Sequence, residues 1–342
     1  MATTSSASLR SERIKVQAGR PISMKAVILA GGMGTRLRPL TYSMPKPLVP
    51  LVDRPMVMHI IDSLPKEVDT VILAVSYMKD RLEDFFAEND CGRKVILVNE
   101  ETPLGTGGAL KNVSSYIDGT FFAFNGDVLT SLDLEDMLAK HRSRKGVGTI
   151  SLWEVDDPTA FGVVGTTADD RIGVFQEKPE RRDAVSNSIN AGVYIFEPEI
   201  FRHIGDGVVS LEREVFPRIM GKGLYGHRFI GYWVDCGTRD NYLKAQSTLL
   251  SNGLAAIREC TFKGSVRMPG DNYLEGARFE GCEIGPNAVV RKGATVMESA
   301  HVIDSMVMEG AVICEGAVIK GSIIGPGVEI EKGQIVESTI IA

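Results

Sequence analysis

A six-residue period runs through the last 90 residues of this 342-residue chain and restricts its fold more than any other feature. Aliphatic residues recur at this spacing, and small residues stand four places after the first three of them. The period predicts three-sided coils of short strands with aliphatic side chains pointing inward, stacked as a left-handed parallel β-helix. A run of β-hairpins is the alternative interpretation. The in-frame residues are Ile284, Val290, Val296, Val302, Met308 and Cys314, then, after a four-residue shift, Ile324, Ile330 and Val336.

Upstream of residue 253, short apolar runs alternate with amphipathic stretches of helical period. The apolar runs cover 26–30, 71–75, 95–98, 121–124, 149–153, 191–196 and 229–234, and the helical stretches cover 56–64, 79–87, 109–117, 134–141 and 239–251. Buried strands separated by helices predict a Rossmann-like α/β domain with a mainly parallel sheet and helices on both faces. We therefore predict two domains, the α/β domain over 24–252 and the hexapeptide-repeat β-helix over 253–342.

Residues 1–23 form a separate leader that is rich in serine and arginine and has no apolar periodicity. Such a segment fits a disordered leader or tag, a targeting peptide, or a start codon assigned too early with Met24 as the true start. The sequence leaves these alternatives open.

Charge and hydropathy exclude several classes of protein. With 38 Lys and Arg against 44 Asp and Glu, the net charge is −6, whereas a sequence-independent nucleic-acid binder is normally basic. No stretch approaches the roughly 20 consecutive apolar residues of a membrane span. The five cysteines are scattered without metal-ligand spacing, which predicts reduced thiols in a cytoplasmic protein. We expect neither nucleic acid nor a membrane among the partners.

The first predicted strand runs directly into a glycine-rich loop. Glycines lack Cβ atoms, so backbone N–H groups can approach an anion, and arginine can make bidentate contacts with phosphate. The spacing fits neither the dinucleotide-binding fingerprint nor the Walker A motif. The loop therefore predicts a phosphate site, and a tight β–α turn is the structural alternative. Its residues are Gly31, Gly32, Met33, Gly34, Thr35, Arg36, Leu37 and Arg38.

A lysine between two prolines follows this loop, at Pro45-Lys46-Pro47, and the two segments together resemble the signature of the sugar-1-phosphate nucleotidylyltransferases. The resemblance covers about residues 24–250 and is greatest to those members that use GTP and mannose 1-phosphate. Many enzymes of this family also carry a hexapeptide-repeat domain. The other matching blocks are residues 103–109, 125–127, 161–163, 177–179, 190–192, 210–217 and 233–235.

The resemblance implies that a sugar 1-phosphate oxygen attacks the α-phosphorus of a nucleoside triphosphate, giving an NDP-sugar and pyrophosphate. Both reactants are anions, so the enzyme must neutralise charge and position the reacting groups. Asp127 and Asp235 each follow a predicted strand, and open α/β sheets bind ligands at that edge. Two carboxylates there suit Mg²⁺, the expected cofactor. For each aspartate taken singly, capping of a turn or helix is the alternative.

The resemblance also implies a role for each remaining matched residue. Arg36 and Lys46 are expected to be catalytic, Arg36 by stabilising charge on the triphosphate and Lys46 by bridging the phosphates. Lys178 matches the lysine that holds the sugar phosphate, although it could form a solvated ion pair with Glu177 instead. Residues expected to bind the nucleotide are Gly31, Gly32, Gly34, Thr35, Glu100 and Gly105, and those expected to bind the sugar are Gly162, Glu177, Lys178 and Asn190.

Glu100 stands where the family places the side chain that reads the base. A carboxylate can accept hydrogen bonds from both N1–H and the N2 amino group of guanine, whereas thymine and uracil are usually matched by an amide. We therefore expect GTP and mannose 1-phosphate as the substrates. Glu101 is adjacent, and a shift of one residue would give it this role.

Three other functions are open from sequence. They are a glucose-1-phosphate thymidylyl- or uridylyltransferase, a non-catalytic regulatory relative that binds an NDP-sugar, and an additional acyltransferase activity in the coil. Regulatory relatives tend to lose the charged set that this chain keeps, and only His301 supports acyl transfer. Because an open solenoid end must be capped or paired, we expect a homo-oligomer formed through the β-helix. The coil has no matched contact with the chemistry, so we expect it to serve assembly or regulation.

Overall fold

The computed structural model of the protein describes residues 24–342, so the predicted leader over 1–23 lies outside the described residues. Alternating strands and helices come first, and short strands alone follow from Ala256 onward. The helices are α1 Met56–Ser63, α2 Lys79–Glu88, α3 Gly105–Asn112, α4 Leu134–Arg144, α5 Phe216–Ile219 and α6 Arg239–Leu249. The strands before the coil are β1 Met24–Leu29, β2 Pro50–Leu51, β3 Arg54–Pro55, β4 Val68–Val75, β5 Lys94–Asn99, β6 Phe121–Asn125, β7 Val128–Thr130, β8 Gly148–Glu154, β9 Gly162–Thr166, β10 Ile172–Glu177, β11 Ser188–Phe196, β12 Leu224–Arg228 and β13 Trp233–Asp235.

Nine of these strands form one sheet. Its main path runs β10-β9-β11-β6-β1-β4-β5, and β8 and β12 branch from β11. Strands β6, β1, β4 and β5 are parallel, whereas β11 is antiparallel to β6, β8 and β9. The α/β fold class is confirmed. Strands β8 to β11 pair antiparallel because no α-helix connects them, and a parallel return requires a long crossover connection. Strand β12, which follows α5, is parallel to β8.

Each face of the sheet has its own core, because successive side chains along a strand point to opposite faces. Val27 of β1 belongs to one buried cluster, together with Leu110 of α3. Its neighbour Ile28 belongs to the other cluster, together with Val57 of α1 and Leu82 of α2. The predicted cover of helices on both faces is therefore present, and it leaves only the strand ends free to carry a site.

Two predicted segments differ in the structure. The apolar run 229–234 is not one strand, because the chain turns at Gly231 (φ +125°) and leaves Ile230 92% exposed. Asp235 instead ends the short strand β13, which pairs only with β7 and lies outside the main sheet. The helix predicted over 109–117 begins earlier, at Gly105, and ends at Asn112.

The coil consists of three parallel sheets, which confirms the predicted parallel β-helix. The first sheet contains β14 Ala256–Arg258, β16 Tyr273–Glu275, β19 Val289–Val290, β22 Met306–Val307, β25 Ile323–Ile324 and β28 Ile340–Ile341. The second contains β15 Thr261–Lys263, β17 Arg278–Glu280, β20 Thr295–Val296, β23 Val312–Ile313 and β26 Glu329–Ile330. The third contains β18 Glu283–Ile284, β21 His301–Ile303, β24 Val318–Lys320 and β27 Ile335–Glu337.

Most turns of the coil contain 17 residues, so the six-residue frame was wrong at Met308 and Cys314, whereas Ile324, Ile330 and Val336 lie in the core of the coil as predicted. Val290 lies opposite Val307 on the next turn, and Val307 lies opposite Ile324. The inward residues after Val302 are Val307 and Ile313, because the side between β21 and β22 is one residue shorter than a hexapeptide. Of the residues predicted to point inward, Met308 is instead buried in the contact with the α/β domain, and Cys314 is partly exposed. The apparent four-residue shift in the sequence follows from these shorter sides.

The first sheet of the coil packs against the α/β domain, and we call the shared core the interface cluster. The α/β domain contributes residues from the segments around the glycine loop, β2, β13 and α6, and the coil contributes residues from β16, β19, β22 and β25. Members of the interface cluster include Leu37, Val49, Val52, Cys236, Tyr242, Tyr273, Val289, Met306, Met308 and Ile323. No pattern in the sequence indicated this contact. Among residues 24–342 no helix is long and apolar enough to cross a membrane.

Candidate functional site

The glycine-rich loop lies at the carboxyl end of β1, and its three glycines meet different neighbours. A Cβ atom at Gly31 would stand 2.8 Å from Glu100 Oε1, whereas one at Gly32 would have nothing within 4 Å. Gly34 has φ +62°, and a Cβ there would stand 2.9 Å from Thr41. Close packing therefore explains Gly31 and Gly34, and Gly32 presents open backbone to an approaching ligand.

Two cavities meet at this loop. The lysine cavity has a volume of about 220 Å³ and includes Lys46, Asn125 and Asp127 in its lining. The glutamate cavity has a volume of about 270 Å³ and includes Glu100 and Gly105 in its lining. Both cavities share Leu29, Gly32 and Thr106. A ligand with two parts could therefore occupy both cavities across Gly32.

Lys46 lies in a tight 3₁₀ turn, Lys46–Leu48, and points into the lysine cavity. Its Nζ donates to Asp127 Oδ2 at 2.5 Å, and only 11% of its side chain is exposed. Asp127 is placed by the turn between β6 and β7, where Gly126 N donates to Leu29 O of β1. The lysine and the aspartate, 81 residues apart in sequence, thus meet beside the glycine loop.

Asp235 and Arg36 complete this group of charges. Cys236 N donates to Asp127 O at 2.8 Å, which holds the two aspartates next to each other. Asp235 Oδ1 accepts from Gly237 N at 2.8 Å, and the Arg36 guanidinium lies so close to Gly237 that a Cβ there would stand 2.5 Å from Nη2. Burial, and after it the nearby Asp127 carboxylate, raise the pKa of Asp235. The raised pKa indicates that the two carboxylates repel each other in a partly buried position.

The residues of this group fit a divalent cation that substrate oxygens would help to hold. Among residues 24–342, no group of three or more His, Cys, Asp or Glu side chains is placed to bind a metal ion. Mg²⁺ needs no such cage, because it usually takes one or two carboxylates together with phosphate oxygens and water. Asp235, whose pKa is raised by burial and by the Asp127 carboxylate beside it, is a ligand whose charge a cation would stabilise.

Glu100 is buried, with 5% of its surface exposed, and it faces the glutamate cavity. Its Oε2 accepts from Leu104 N at 3.1 Å, but its buried Oε1 has no hydrogen-bond partner within the described residues 24–342. Burial raises the pKa of this carboxyl. Glu101 is exposed, so the alternative register does not place a carboxylate in the cavity. Gly105 has φ +71°, and a Cβ there would stand 2.7 Å from Val209 O, so its packing alone requires glycine.

The residues predicted to bind a sugar lie farther along the sheet, at the ends of β10 and β11. Burial, and after it the charge of Glu212, raise the pKa of Glu177. Lys178 is 58% exposed, and its Nζ stands 3.9 Å from Glu177 Oε1. Lys178 also has φ +51°, which turns its side chain away from the direction of the strand. The lysine is therefore free to meet a ligand from the solvent side.

Asn190 and Gly162 have clear packing roles in this region. Asn190 Nδ2 donates to Tyr194 Oη at 2.9 Å, and its Oδ1 accepts from Gly192 N at 3.0 Å. A Cβ at Gly162 would stand 2.6 Å from the ring of Phe175. These contacts account for both residue types without a ligand, so their role in sugar binding stays a prediction.

Two polar residues that sequence reasoning did not single out, Thr106 and Asn125, line the cavities at the glycine loop. Thr106 lines both cavities and donates from Oγ1 to Glu212 Oε2 at 2.8 Å. Asn125 lines the lysine cavity, and its buried Oδ1 has no hydrogen-bond partner. Each lies within or next to a block that matched the family signature, and that position was the available signal. His301 of the coil is at 3.8 Å from Glu283 Oε2 and belongs to neither cavity.

Comparison with known proteins agrees with this geometry. A family model described as "Nucleotidyl transferase" matches residues 25–252, and one described as "GMPPB C-terminal domain" matches residues 278–342. The mannose-1-phosphate guanylyltransferase of Mycobacterium tuberculosis is 38% identical over 293 residues, covering 81% of this chain and 80% of that protein. The catalytic subunit beta of the same activity from Danio rerio is 38% identical over 282 residues, covering 80% of this chain and 74% of that protein.

Solved structures show the same similarity in three dimensions. HddC from Yersinia pseudotuberculosis is 30% identical, with a TM-score of 0.55, over 65% of this chain and 97% of that one. The same protein has also been solved in complex with GMP-PN. A UDP-glucose pyrophosphorylase in complex with UDP-glucose is 22% identical, with a TM-score of 0.60, over 67% of this chain and 99% of that one, and this likeness bears on the fold alone.

Proposed function

This chain belongs to the nucleotidyl transferase family, as a sugar-1-phosphate nucleotidylyltransferase, and from that premise we propose that it converts GTP and mannose 1-phosphate into GDP-mannose and pyrophosphate. The observation that carries the proposal is the convergence of Arg36, Lys46, Asp127 and Asp235 beside the open backbone of Gly32. The names of the curated relatives support the choice of substrates.

In the proposed reaction an oxygen of the sugar 1-phosphate forms a bond to the α-phosphorus of GTP. The bond between that phosphorus and the oxygen bridging to the β-phosphorus breaks, and pyrophosphate leaves with the electron pair. Lys46 would contact the phosphates from the lysine cavity, and Arg36 would meet the triphosphate from the side of Gly237. Gly31, Gly32, Gly34 and Thr35 would present backbone to the same phosphates. Positioning and neutralisation of charge are the main needs of such a transfer.

Asp127 and Asp235 would hold Mg²⁺, which when bound supplies positive charge to the phosphate oxygens. Burial and the neighbouring Asp127 carboxylate raise the pKa of Asp235, and Lys46 Nζ already donates to Asp127 Oδ2. Lys46 therefore fits two roles, as a partner of Asp127 in the free protein and as a phosphate ligand in the complex.

We propose that Glu100 selects guanine. Glu100 lines the glutamate cavity, and among residues 24–342 its buried Oε1 finds no hydrogen-bond partner, so a base carrying two adjacent donors would satisfy the carboxylate. Leaving a buried polar group unpaired is costly, so a base that lacks those donors is rejected. The alternative function, a thymidylyl- or uridylyltransferase, would need a hydrogen-bond donor at this position.

The sugar half of the proposal places mannose 1-phosphate near Glu177, Lys178 and Asn190, with Gly162 beside it. The exposed ammonium of Lys178 would reach the sugar phosphate, and the Glu177 carboxylate would accept from sugar hydroxyls. Asn190 would have to share its amide with Tyr194. Mannose and glucose differ in the configuration of one hydroxyl, so a contact to that hydroxyl would select mannose.

A matrix of five nucleoside triphosphates against mannose 1-phosphate and glucose 1-phosphate tests the function, with release of pyrophosphate as the readout. We expect the highest kcat/KM for GTP with mannose 1-phosphate, in the presence of Mg²⁺. Higher kcat/KM with dTTP or UTP would contradict the guanine assignment, and no turnover with any pair would support a regulatory relative that only binds the product.

We further propose that the protein works in the cytoplasm as a homo-oligomer, without nucleic acid or membrane partners. In this oligomer the first turn of the coil would contact a second copy of the chain. This turn carries β14 and β15, the outermost strands of their sheets, and exposes Ile257, Phe262 and Met268. Phe262→Glu should lower the mass measured by light scattering, and Ile335→Glu at the opposite end should not. An unchanged mass for Phe262→Glu would contradict this interface.

A further inference from the structure

The hairpin that follows Lys46 contains a strained residue. Strands β2 and β3 pair Pro50 with Pro55 and Leu51 with Arg54, which leaves Val52 in the turn. Val52 has φ +60°, a left-handed value that a β-branched residue rarely adopts because its side chain is then strained against the backbone. Its side chain is fully buried in the interface cluster. The surrounding structure must therefore hold this turn in place.

Arg291 of the coil provides such a restraint. Its Nη1 donates to Val52 O at 2.9 Å, across 239 residues of sequence, and its Nε donates to Glu309 Oε1 at 2.9 Å. Glu275 Oε2 lies 3.4 Å from the same Nη1. Carboxylates from two other turns of the coil thus orient the guanidinium, and charge-assisted contacts of this kind fix both position and direction.

A second donor holds the same hairpin from α6. The hydroxyl of Tyr242 donates to Pro50 O, and the tyrosine is fully buried in the interface cluster. The carbonyls of Pro50 and Val52 are therefore fixed from two directions, one within the α/β domain and one from the coil.

A short and stiff path leads from this hairpin back to Lys46. Met56 N donates to Val49 O, and Val49 N donates to Lys46 O. Pro47 and Pro50 restrict the backbone on the way, because proline fixes φ. A displacement of the hairpin therefore moves the backbone that carries Lys46, whose Nζ must reach the lysine cavity.

We propose that Arg291 is a positioning residue for Lys46, so that the β-helix sets the geometry of a site to which it contributes no lining residue of either cavity. This inference rests on the proposed function for the role of Lys46. It also changes the role expected for the coil, because the coil then acts on the chemical step as well as on assembly.

The first test removes the donors of Arg291 and keeps the chain length. We expect Arg291→Met to lower kcat by roughly ten- to a hundredfold, because small displacements of a positioned group have effects of that size, while KM for each substrate changes less than about twofold. Arg291→Lys, which keeps the charge and one donor group, should recover part of the loss. Arg278→Met is the matched control, because Arg278 is an exposed arginine of the same coil. A merely structural arginine would lower the melting temperature and leave kcat of the folded fraction unchanged.

A double-mutant cycle then shows whether the effect passes through Lys46. Single-turnover rates with excess enzyme are measured for Lys46→Met alone and combined with Arg291→Met. If Arg291 acts through Lys46, the double variant is no slower than Lys46→Met; losses that multiply would overturn the proposal. Should Arg291→Met fail to fold, Arg291→Lys carries the same cycle.

The two proposals fail in different ways. If Lys46→Met is as active as the wild type, the role of Lys46 in the proposed function is wrong. If Lys46→Met is inactive while Arg291→Met and Arg291→Lys keep the full kcat, only the positioning role is wrong.

Discussion

The α/β domain and the β-helix treat their buried polar groups differently. Among residues 24–342, six buried side-chain atoms lack a hydrogen-bond partner, and all six belong to residues before 253. The buried polar side chains of the coil are all bonded. Asn272 Oδ1 accepts from Ala288 N, Ser305 Oγ accepts from Ser322 N, and Ser322 Oγ accepts from Thr339 N.

We attribute this difference to the roles of the two regions, because the coil is a scaffold and the α/β domain carries the proposed site. A repeating coil can satisfy each polar group with the next turn, because the next turn stands at a fixed offset. A binding site must keep some groups free for a ligand, and unpaired buried groups are expected there. Glu100 and Asn125 both line the proposed substrate cavities and both carry an unpaired oxygen. Substitutions inside the coil should therefore mainly change the free energy of unfolding. Substitutions of the unpaired and charged groups in the α/β domain should mainly change turnover.

The largest expected effect is on turnover, and it comes from replacing either of the two aspartates of the α/β domain. Asp127→Asn or Asp235→Asn should lower kcat by about a hundredfold or more, because an amide keeps the shape of the side chain but has no negative charge with which to hold the proposed Mg²⁺. The measurement is steady-state pyrophosphate release at saturating Mg²⁺. Asp206→Asn is the control, since Asp206 is 97% exposed and pairs only with Lys111 among the ion pairs of residues 24–342. Near-normal turnover of Asp235→Asn would mean that this aspartate is only a turn residue.

The next effect tests the coil, through two adjacent residues. Ile313 is fully buried inside the coil, so Ile313→Ala should reduce the free energy of unfolding by about 2–5 kcal/mol. Cys314 is partly exposed, so Cys314→Ala should change it by less than about 0.5 kcal/mol. Urea unfolding followed by circular dichroism measures both. The strict six-residue frame requires the opposite ranking, which would contradict the 17-residue turn.

Selectivity for the base is the third effect. Glu100→Gln should reduce the preference for GTP over dTTP and UTP by roughly tenfold or more, because an amide can donate as well as accept. Glu101→Gln is the matched control, since Glu101 is exposed beside it. The measurement is kcat/KM for each nucleotide with mannose 1-phosphate. Equal changes in the two variants would remove Glu100 from base recognition.

Much of the site could be predicted from sequence because its residues follow strand ends. Asp127 comes directly after the turn that ends β6, and Lys46 lies between prolines just after the glycine loop. The sequence therefore predicted both as site residues, and the contact between them is visible only in the structure. The strand predicted over 229–234 failed because Gly231 breaks it, and an apolar run alone does not distinguish a strand from an exposed loop.

The remaining features depend on contacts between distant parts of the chain. Sides of five and six residues mix in the coil, so a fixed six-residue period placed Met308 and Cys314 wrongly. Val49 and Val52 are ordinary apolar residues in sequence, and nothing there shows that the coil covers them. The bond from Arg291 to Val52 joins residues 239 positions apart, and no local pattern encodes such a pair.

The smallest expected effect is a change in stability at the proposed ligand site. It sharpens the comparison of the two domains most, because it tests whether a buried polar group of the α/β domain is kept free for a ligand. Burial raises the pKa of Glu100 in the folded protein, so the folded state holds this proton more tightly than the unfolded state does. Its ionisation therefore costs stability as pH rises from the unfolded pKa, about 4.3, through the raised folded pKa, and the cost is fully present above that range. Glu100→Gln removes the cost, so at neutral pH the variant should melt at a slightly higher temperature than the wild type, and the difference should disappear below about pH 4. Glu315→Gln on the coil is the control, because this exposed carboxylate pairs with Lys332 and its loss should leave the melting temperature equal or slightly lower. A Glu100→Gln protein that is less stable than the wild type at neutral pH would mean that the folded chain satisfies this carboxylate by itself. Glu100 would then resemble the hydrogen-bonded polar groups of the coil and would not be a group kept free for a ligand.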